Sequence, residues 1–206
     1  MKRRNDQEQY TLTTDRERLG QKLRTRRDLL EAARTLIDMG TEINFGAVAD
    51  EAGISRATVY RYFSDPAALA LEAVLDGMVT VPEDIISEGA SVRERVQAVH
   101  RYWLSFYRST ENRLRILAAR AMEPGPDGAP RYRRVARRLP MFREALAPAR
   151  AELGEKRSKE LVWALAAVSS FENYVVMNDI LQLDAKRLDA LSTTILDAIL
   201  EKYGIG

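Results

Sequence analysis

The chain has 206 residues, of which 46% are hydrophobic and 30% charged, and its formal net charge is +2. This composition is typical of a globular protein with one large or two small domains. It contains no cysteine and a single histidine, His100, which disfavours disulfides, metal sites and histidine-dependent catalysis. No apolar run reaches the roughly 18 residues of a membrane span, and no apolar leader precedes the first helix. We therefore expect a cytoplasmic protein without a membrane partner, cofactor, metal or catalytic residue.

Helical periodicity runs along the chain, and no segment alternates with the period of two that a strand requires, so the sequence predicts an all-α fold. Residues 1–21 are polar and of mixed charge, and we expect a flexible tail there. The first helix is predicted over about 26–39, with Thr25 as its N-cap and Gly40 at its end.

Three short helices follow, each after a polar side chain that can accept a hydrogen bond from the first helical turn. They are predicted at 45–52 after Asn44, at 56–63 after Ser55, and from Pro66 after Asp65. Longer helices are predicted at about 92–109, 113–122, 131–147 with a break near Pro140, 158–183 and 185–203. The clearest loop is the Pro- and Gly-rich segment 124–130.

The segment INFGAVADEAGISRATVYRYF, residues 43–63, places two short capped helices around Gly53. Phe45, Val48 and Val59 fall on the inward faces, so the pattern predicts a helix-turn-helix. The outward face of its second helix carries hydrogen-bond donors and one small residue, which suit base edges in a DNA major groove. These residues are Arg56, Ala57, Thr58, Tyr60, Arg61 and Tyr62. The alternative is an ordinary helical hairpin whose exposed residues have no function.

The segments RRDLLEAARTLIDMG and AVADEAGISRATVYRYFSDPAALALEAVL together resemble the TetR family of transcription regulators over about 26–75. The resemblance implies a three-helix DNA-binding domain with a helix-turn-helix, assigned to 22–65, and a helical effector-binding and dimerisation domain at 66–206. It further implies a repressor that a small-molecule effector releases from a palindromic DNA operator. An activator, an effector-independent regulator and a helical ligand-binding enzyme are the alternatives.

The resemblance also implies roles for individual residues. Ser55 would cap the recognition helix, Tyr60 and Tyr62 would contact phosphates, and Asn44 would touch the DNA backbone. Gly46 departs from helical preference, since a glycine inside a helix weakens it by up to about 1 kcal/mol. The implied DNA-binding residues are Arg24, Arg26, Arg27, Asn44, Ser55, Arg56, Ala57, Thr58, Tyr60, Arg61 and Tyr62. For the three arginines near 24–27, a solvated helix start is the alternative.

The helix predicted over 158–183 is apolar on two opposite faces, so both faces must be covered. We expect one face to meet the protomer's own core, where its aromatic residues and those of the helix at 92–109 would line an effector pocket. The predicted ligand-binding residues are Trp103, Phe106, Tyr107, Trp163, Phe171 and Tyr174. The other face is assigned to a homodimer interface made with the last helix: Leu161, Leu165, Val168, Glu172, Val176, Leu191, Ile195 and Ile199. Ordinary core packing is the alternative for the aromatic residues.

Two further features have no assigned role. His100 lies at the edge of the aromatic stripe, and we expect it at the surface or partly buried. The arginine-rich segment 131–138 is interpreted as a solvated helix, with an anionic effector, a second DNA contact or an acidic partner surface as alternatives.

Overall fold

The computed structural model describes residues 2–63, 65–123 and 136–206, and over these ranges every regular element is a helix. The predicted all-α fold is confirmed. The helices are α1 (Lys2–Asp38), α2 (Phe45–Ala52), α3 (Arg56–Tyr62), α4 (Pro66–Gly77), α5 (Val92–Met122), α6 (Arg138–Ala145), α7 (Arg150–Val168), α8 (Phe171–Val175) and α9 (Ala185–Lys202). Short 3-10 turns lie at Pro82–Asp84 and Ala147–Ala149, and a π turn at Val176–Ile180 continues α8. None of the described helices is long and apolar enough to cross a membrane.

The chain divides into two compact units, residues 1–78 with 117–133 and residues 79–116 with 134–206. The first unit extends beyond the boundary expected after residue 65, because α4 packs against α1. Asp65 caps α4 by accepting a hydrogen bond from Ala67 N at 2.9 Å, and Pro66 takes the first helical position, as predicted. We therefore group α4 with the helix-turn-helix.

The first helix begins at Lys2 and not near Arg26, so the predicted start is wrong and Thr25 lies inside the helix instead of capping it. Residues 2–38 contain no proline and are rich in Arg and Leu, which favour helix. The predicted end is confirmed, since Gly40 has a φ of 70° and terminates the helix. Flexibility of residues 1–21 stays a prediction.

The helix α5 is continuous, whereas the sequence predicts separate helices at 92–109 and 113–122. The hydroxyls of Ser109 and Thr110 donate to the carbonyl oxygen of Phe106 at 3.0 and 2.6 Å, so this polar stretch is accommodated within the helix. Pro140 lies in the first turn of α6 and does not break it, because the N–H it lacks has no partner within the helix there. The helix predicted over 131–135 lies outside the described residues.

The helix predicted over 158–183 is interrupted between α7 and α8. The backbone of Ser170 is extended, with a ψ of 156°, and its Oγ accepts a hydrogen bond from Asn173 N at 3.1 Å to cap α8. A side-chain face followed along α7 therefore does not continue onto α8. By contrast, α9 is as predicted to within one residue, and Asp184 caps it by accepting from Arg187 N at 2.9 Å.

Candidate functional site

The two helices of the helix-turn-helix are held by local hydrogen bonds at the turn and at both N-termini. Gly53 ends α2 in the left-handed conformation, with a φ of 63°, which glycine adopts without strain. Asn44 Oδ1 accepts from Ala47 N at 2.9 Å, and Ser55 Oγ accepts from Thr58 N at 3.2 Å. The predicted N-caps of α2 and α3 are confirmed.

One side of the helix-turn-helix is buried and the other is open. The inward-facing side chains are Phe45, Val48, Ala49, Val59 and Phe63, each 5% exposed or less. On the opposite side of α3 the exposed residues are Arg56, Ala57, Tyr60 and Arg61, with Thr58 and Tyr62 half-buried. The predicted recognition helix thus presents its polar residues outward, which a helix that enters a major groove must do.

Contacts within this surface hold several of the outward side chains in place. The ring of Tyr60 is 64% exposed, yet its centroid lies 4.7 Å from that of Phe45 in an edge-to-face contact. The Thr58 hydroxyl lies 2.9 Å from Ser55 Oγ. The guanidinium of Arg56 rests against α2 beside Gly46. The phenol of Tyr60 is therefore carried by a packed ring, which suits a contact that must keep its position.

The structure does not place Arg26 at this surface. Arg26 is 8% exposed, and its guanidinium pairs with the carboxylate of Glu72 on α4 at 2.6 Å. It also donates to the carbonyl oxygen of Tyr62 at 3.4 Å and lies 4.3 Å from the ring centroid of Phe63. Arg26 therefore joins α1 to α4 and to the end of α3, and the predicted DNA contact is wrong because the side chain is buried. Arg24 and Arg27 are exposed, as a phosphate contact requires.

In the second unit, aromatic side chains from α5 and α8 meet in the interior. The ring centroid of Tyr107 lies 5.6 Å from that of Phe171 and 5.9 Å from that of Tyr174. Trp103 lies 5.3 Å from Phe106. Tyr102, which the sequence analysis does not single out, joins this group at 5.4 Å from Trp103. The structure thus brings together Trp103, Phe106, Tyr107, Phe171 and Tyr174, all buried.

The polar atoms of this aromatic cluster differ in whether they have a hydrogen-bond partner. Trp103 Nε1 is buried and has no hydrogen-bond partner among the described residues. Tyr174 donates to Glu111 Oε2 at 2.9 Å, and burial, followed by this hydrogen bond, raises the pKa of Tyr174 to about 12. Glu111 also lines an open groove of about 410 Å³ along 108–113 of α5. Arg138, expected in a solvated helix, instead donates to Tyr107 Oη at 3.0 Å.

Trp163 does not belong to the aromatic cluster. It is 52% exposed on α7, where the ammonium of Lys159 lies 5.0 Å from its ring centroid. The prediction that Trp163 shares a face with Tyr174 is wrong, because the extended backbone at Ser170 separates α7 from α8.

The predicted dimer face is partly buried within a single chain. Leu161 and Leu165 are wholly buried and Val168 is 6% exposed, so these three assignments are wrong: the residues pack in the protomer's own core. The remaining predicted residues are accessible to differing degrees. Val176, Leu191 and Ile195 are exposed, whereas Glu172 and Ile199 are half-buried.

His100 is also placed differently from the expectation, because it is only 1% exposed. Its two ring nitrogens each lie 2.7 Å from a serine hydroxyl, Nδ1 from Ser169 and Nε2 from Ser192. Burial lowers the pKa of His100 to about 4, so the ring is neutral near pH 7. The histidine therefore links α5 to α9 and to the end of α7 through uncharged hydrogen bonds.

Comparison with known families identifies the N-terminal region. Residues 29–73 match the family model described as bacterial regulatory proteins, tetR family. The matched span includes all of α2 and α3 and most of α4, and it supports a DNA-binding transcriptional regulator. Comparisons with curated proteins and with solved structures find no match.

Proposed function

We propose that this protein is a DNA-binding regulator of the TetR family, namely a cytoplasmic, homodimeric repressor that leaves a palindromic operator when a small molecule binds its second unit. The observation that carries the proposal is the exposed polar face of α3, which the Ser55 cap and the contact between Phe45 and Tyr60 hold in place. A two-fold dimer would present two such helices to two half-sites, one DNA turn or ~34–36 Å apart. An activator or an effector-independent regulator would use the same face.

The proposed DNA contacts fall into two classes, since phosphate contacts position a protein and base contacts give specificity. Arg56, Ala57 and Thr58 begin α3 and are proposed to meet base edges. Asn44 caps α2 through its oxygen alone, so its amide group can donate to a phosphate. The remaining proposed contacts to the DNA backbone are Arg24, Arg27, Ser55, Tyr60, Arg61 and Tyr62.

The homodimer is proposed to form through α7 and α9, which pack against each other. Trp163 on α7 is 52% exposed, and Leu191 and Ile195 on α9 are each 37% exposed. Large exposed apolar side chains on two helices that pack against each other support an interaction surface on these helices. This surface replaces the one predicted around Leu161, because Trp163 faces outward where Leu161 faces the core.

The effector is proposed to bind at the aromatic cluster of α5 and α8. Apolar walls with a few polar groups are typical of small-molecule sites. The buried Trp103 Nε1, without a partner among the described residues, offers a donor that an acceptor on a ligand would satisfy.

The test is footprinting on the DNA that flanks the gene for this protein. We expect protection of a near-palindromic site, with an affinity that falls as salt rises because phosphate contacts release counterions. Arg56→Ala should lose selective protection, whereas Arg143→Ala, a matched change of an exposed arginine on α6, should keep it. Equal loss in both variants, or equal protection of all duplexes, would contradict the proposal. A reporter fused to the protected site then separates repression from activation.

A further inference from the structure

We propose that Gly46 in α2 is a positioning residue for Arg56, because it provides the space in which the guanidinium of Arg56 rests at the start of the recognition helix. The inference rests on the proposed function of α3 in reading DNA bases. It assigns a role to a residue that the helical pattern of the sequence leaves unexplained.

The geometry shows how close the two residues are. A Cβ atom built at Gly46 would lie 2.9 Å from Arg56 Nη2 and 3.1 Å from Arg56 Cζ. It would also lie 3.1 Å from Asn44 Oδ1, the atom that caps α2. Any side chain larger than glycine would therefore displace the guanidinium, since contacts this short to a carbon atom are not tolerated.

Backbone conformation does not account for glycine at this position. The glycines with positive φ are Gly40, Gly53, Gly89, Gly154 and Gly204, and Gly46 is not among them. Gly46 lies in the first turn of α2 with a backbone that other residues adopt readily. Glycine at this position lowers the stability of the helix relative to alanine. We therefore attribute the glycine to the space that the Arg56 guanidinium occupies beside it.

The dipole of α2 also does not favour the observed position of the Arg56 guanidinium. The guanidinium lies near the N-terminus of α2, where the helix dipole disfavours a positive charge. Arg56 nevertheless remains exposed, so its donors are accessible to a base edge. The contact with Gly46 restricts a flexible side chain before DNA binds, and this lowers the entropy that binding would otherwise cost.

Replacing Gly46 by alanine should move Arg56 without unfolding the domain, because the far end of an arginine side chain shifts easily. We expect G46A to change the melting temperature little, because the preference of alanine for helix is offset by crowding of the Asn44 cap. The same variant should bind the wild-type site more weakly. Loss of a good bidentate contact with a base lowers affinity by about 5- to 150-fold. We expect the displacement of Arg56 to lower affinity by at least the smaller of these factors.

The experiment is a double-mutant cycle on a duplex enriched from randomised oligonucleotides by the wild-type protein. We expect G46A to weaken binding in the wild-type background and to have a much smaller effect in the R56A background, where only the crowding of Asn44 remains. The control is G20A, which makes the same change inside α1 where a Cβ would meet nothing within 4 Å. It should leave affinity unchanged.

Equal effects of G46A in both backgrounds, or none in either, would overturn the assignment of Gly46 while leaving the regulator intact. A fall in melting temperature with G46A larger than the loss of one helix cap would cause would do the same. If the wild-type protein enriches no duplex, the proposed function itself fails, and that outcome is distinct from the other three.

Discussion

Arg26 and Glu72 form an ion pair at 2.6 Å inside the first unit, and the Glu72 side chain is wholly buried. The pair joins α1 to α4, and the same guanidinium reaches the carbonyl oxygen of Tyr62 at the end of α3. A charge removed from water in this way depends on its partner, because burial without compensation is costly. The recognition helix is therefore anchored to α4 by an interaction that faces away from the proposed DNA surface.

The first prediction concerns the stability of this anchor. Arg26→Ala or Glu72→Ala should lower the free energy of unfolding by about 3–5 kcal/mol, because each removes the ion-pair partner of a buried charge. The double substitution Arg26→Met with Glu72→Leu should recover most of that loss. Urea denaturation of the three variants measures this. A stable Arg26→Ala protein with weakened DNA binding would instead restore Arg26 as a phosphate contact.

The second prediction separates positioning from base readout on α3. Tyr60→Phe should keep the ring contact with Phe45 and the melting temperature, but weaken binding to all duplexes alike through the lost hydroxyl. Arg56→Ala should instead relax base preference, at a cost of about 1–3 kcal/mol on the preferred site. Selection from randomised duplexes measures both. An unchanged preferred sequence for Arg56→Ala would show that this arginine does not read bases.

The helix-turn-helix could be predicted closely because short-range chemistry determines it. The caps Asn44, Ser55 and Asp65 each accept from an N–H two or three residues along the chain, so residue type and spacing suffice. Arg26 could not be placed in this way. Its partner lies 46 residues away on another helix, and only the packing of α4 on α1 brings the two together.

The second unit is less predictable from sequence, because a break at Ser170 divides what the apolar pattern presents as one continuous helix. Ser170 caps α8 by accepting from Asn173 N, and the acidic Glu172 lies in the first turn of that helix. A capping serine before an acidic first turn is a helix start signal, and here it lies inside an otherwise apolar pattern. That signal was available in the sequence and would have separated Trp163 from Tyr174. The burial of His100 could not be read from sequence, since Ser169 and Ser192 approach it from elements far along the chain.

The third prediction follows from the neutral His100. Its pKa is about 4 in the folded protein against 6.5 ordinarily, so between these values the unfolded chain binds more protons. Stability should therefore rise with pH across this window and fall on acidification, by up to about 3 kcal/mol at pH 4. Unfolding by urea from pH 4 to 7 measures the slope. His100→Gln keeps hydrogen-bonding groups but cannot titrate, so it should flatten the dependence of unfolding free energy on pH. An unchanged dependence in this variant would show that carboxylates cause it.

The last prediction concerns Trp163, whose exposure changes what its removal should do. A buried tryptophan truncated to alanine would cost about 3–5 kcal/mol of stability, but Trp163 is half exposed on α7. If it lies in the dimer interface with Leu191 and Ile195, Trp163→Ala should shift the protein toward monomer while each protomer keeps its helical content. Operator affinity should then fall and recover with protein concentration, because dimerisation and DNA binding are linked. Sedimentation at several concentrations, with circular dichroism, measures this.

A matched substitution separates the interface from the aromatic cluster. Trp103→Phe changes the other tryptophan, which is buried and packs against Phe106. It removes the indole N–H that lacks a described partner and should leave the dimer intact. If the cluster binds the effector, this variant should lose the response of operator binding to the effector, whereas Trp163→Ala at saturating protein concentration should retain it. A Trp163→Ala protein that remains dimeric at every concentration would remove Trp163 from the interface, since the α7 surface would then make no measurable contribution to association.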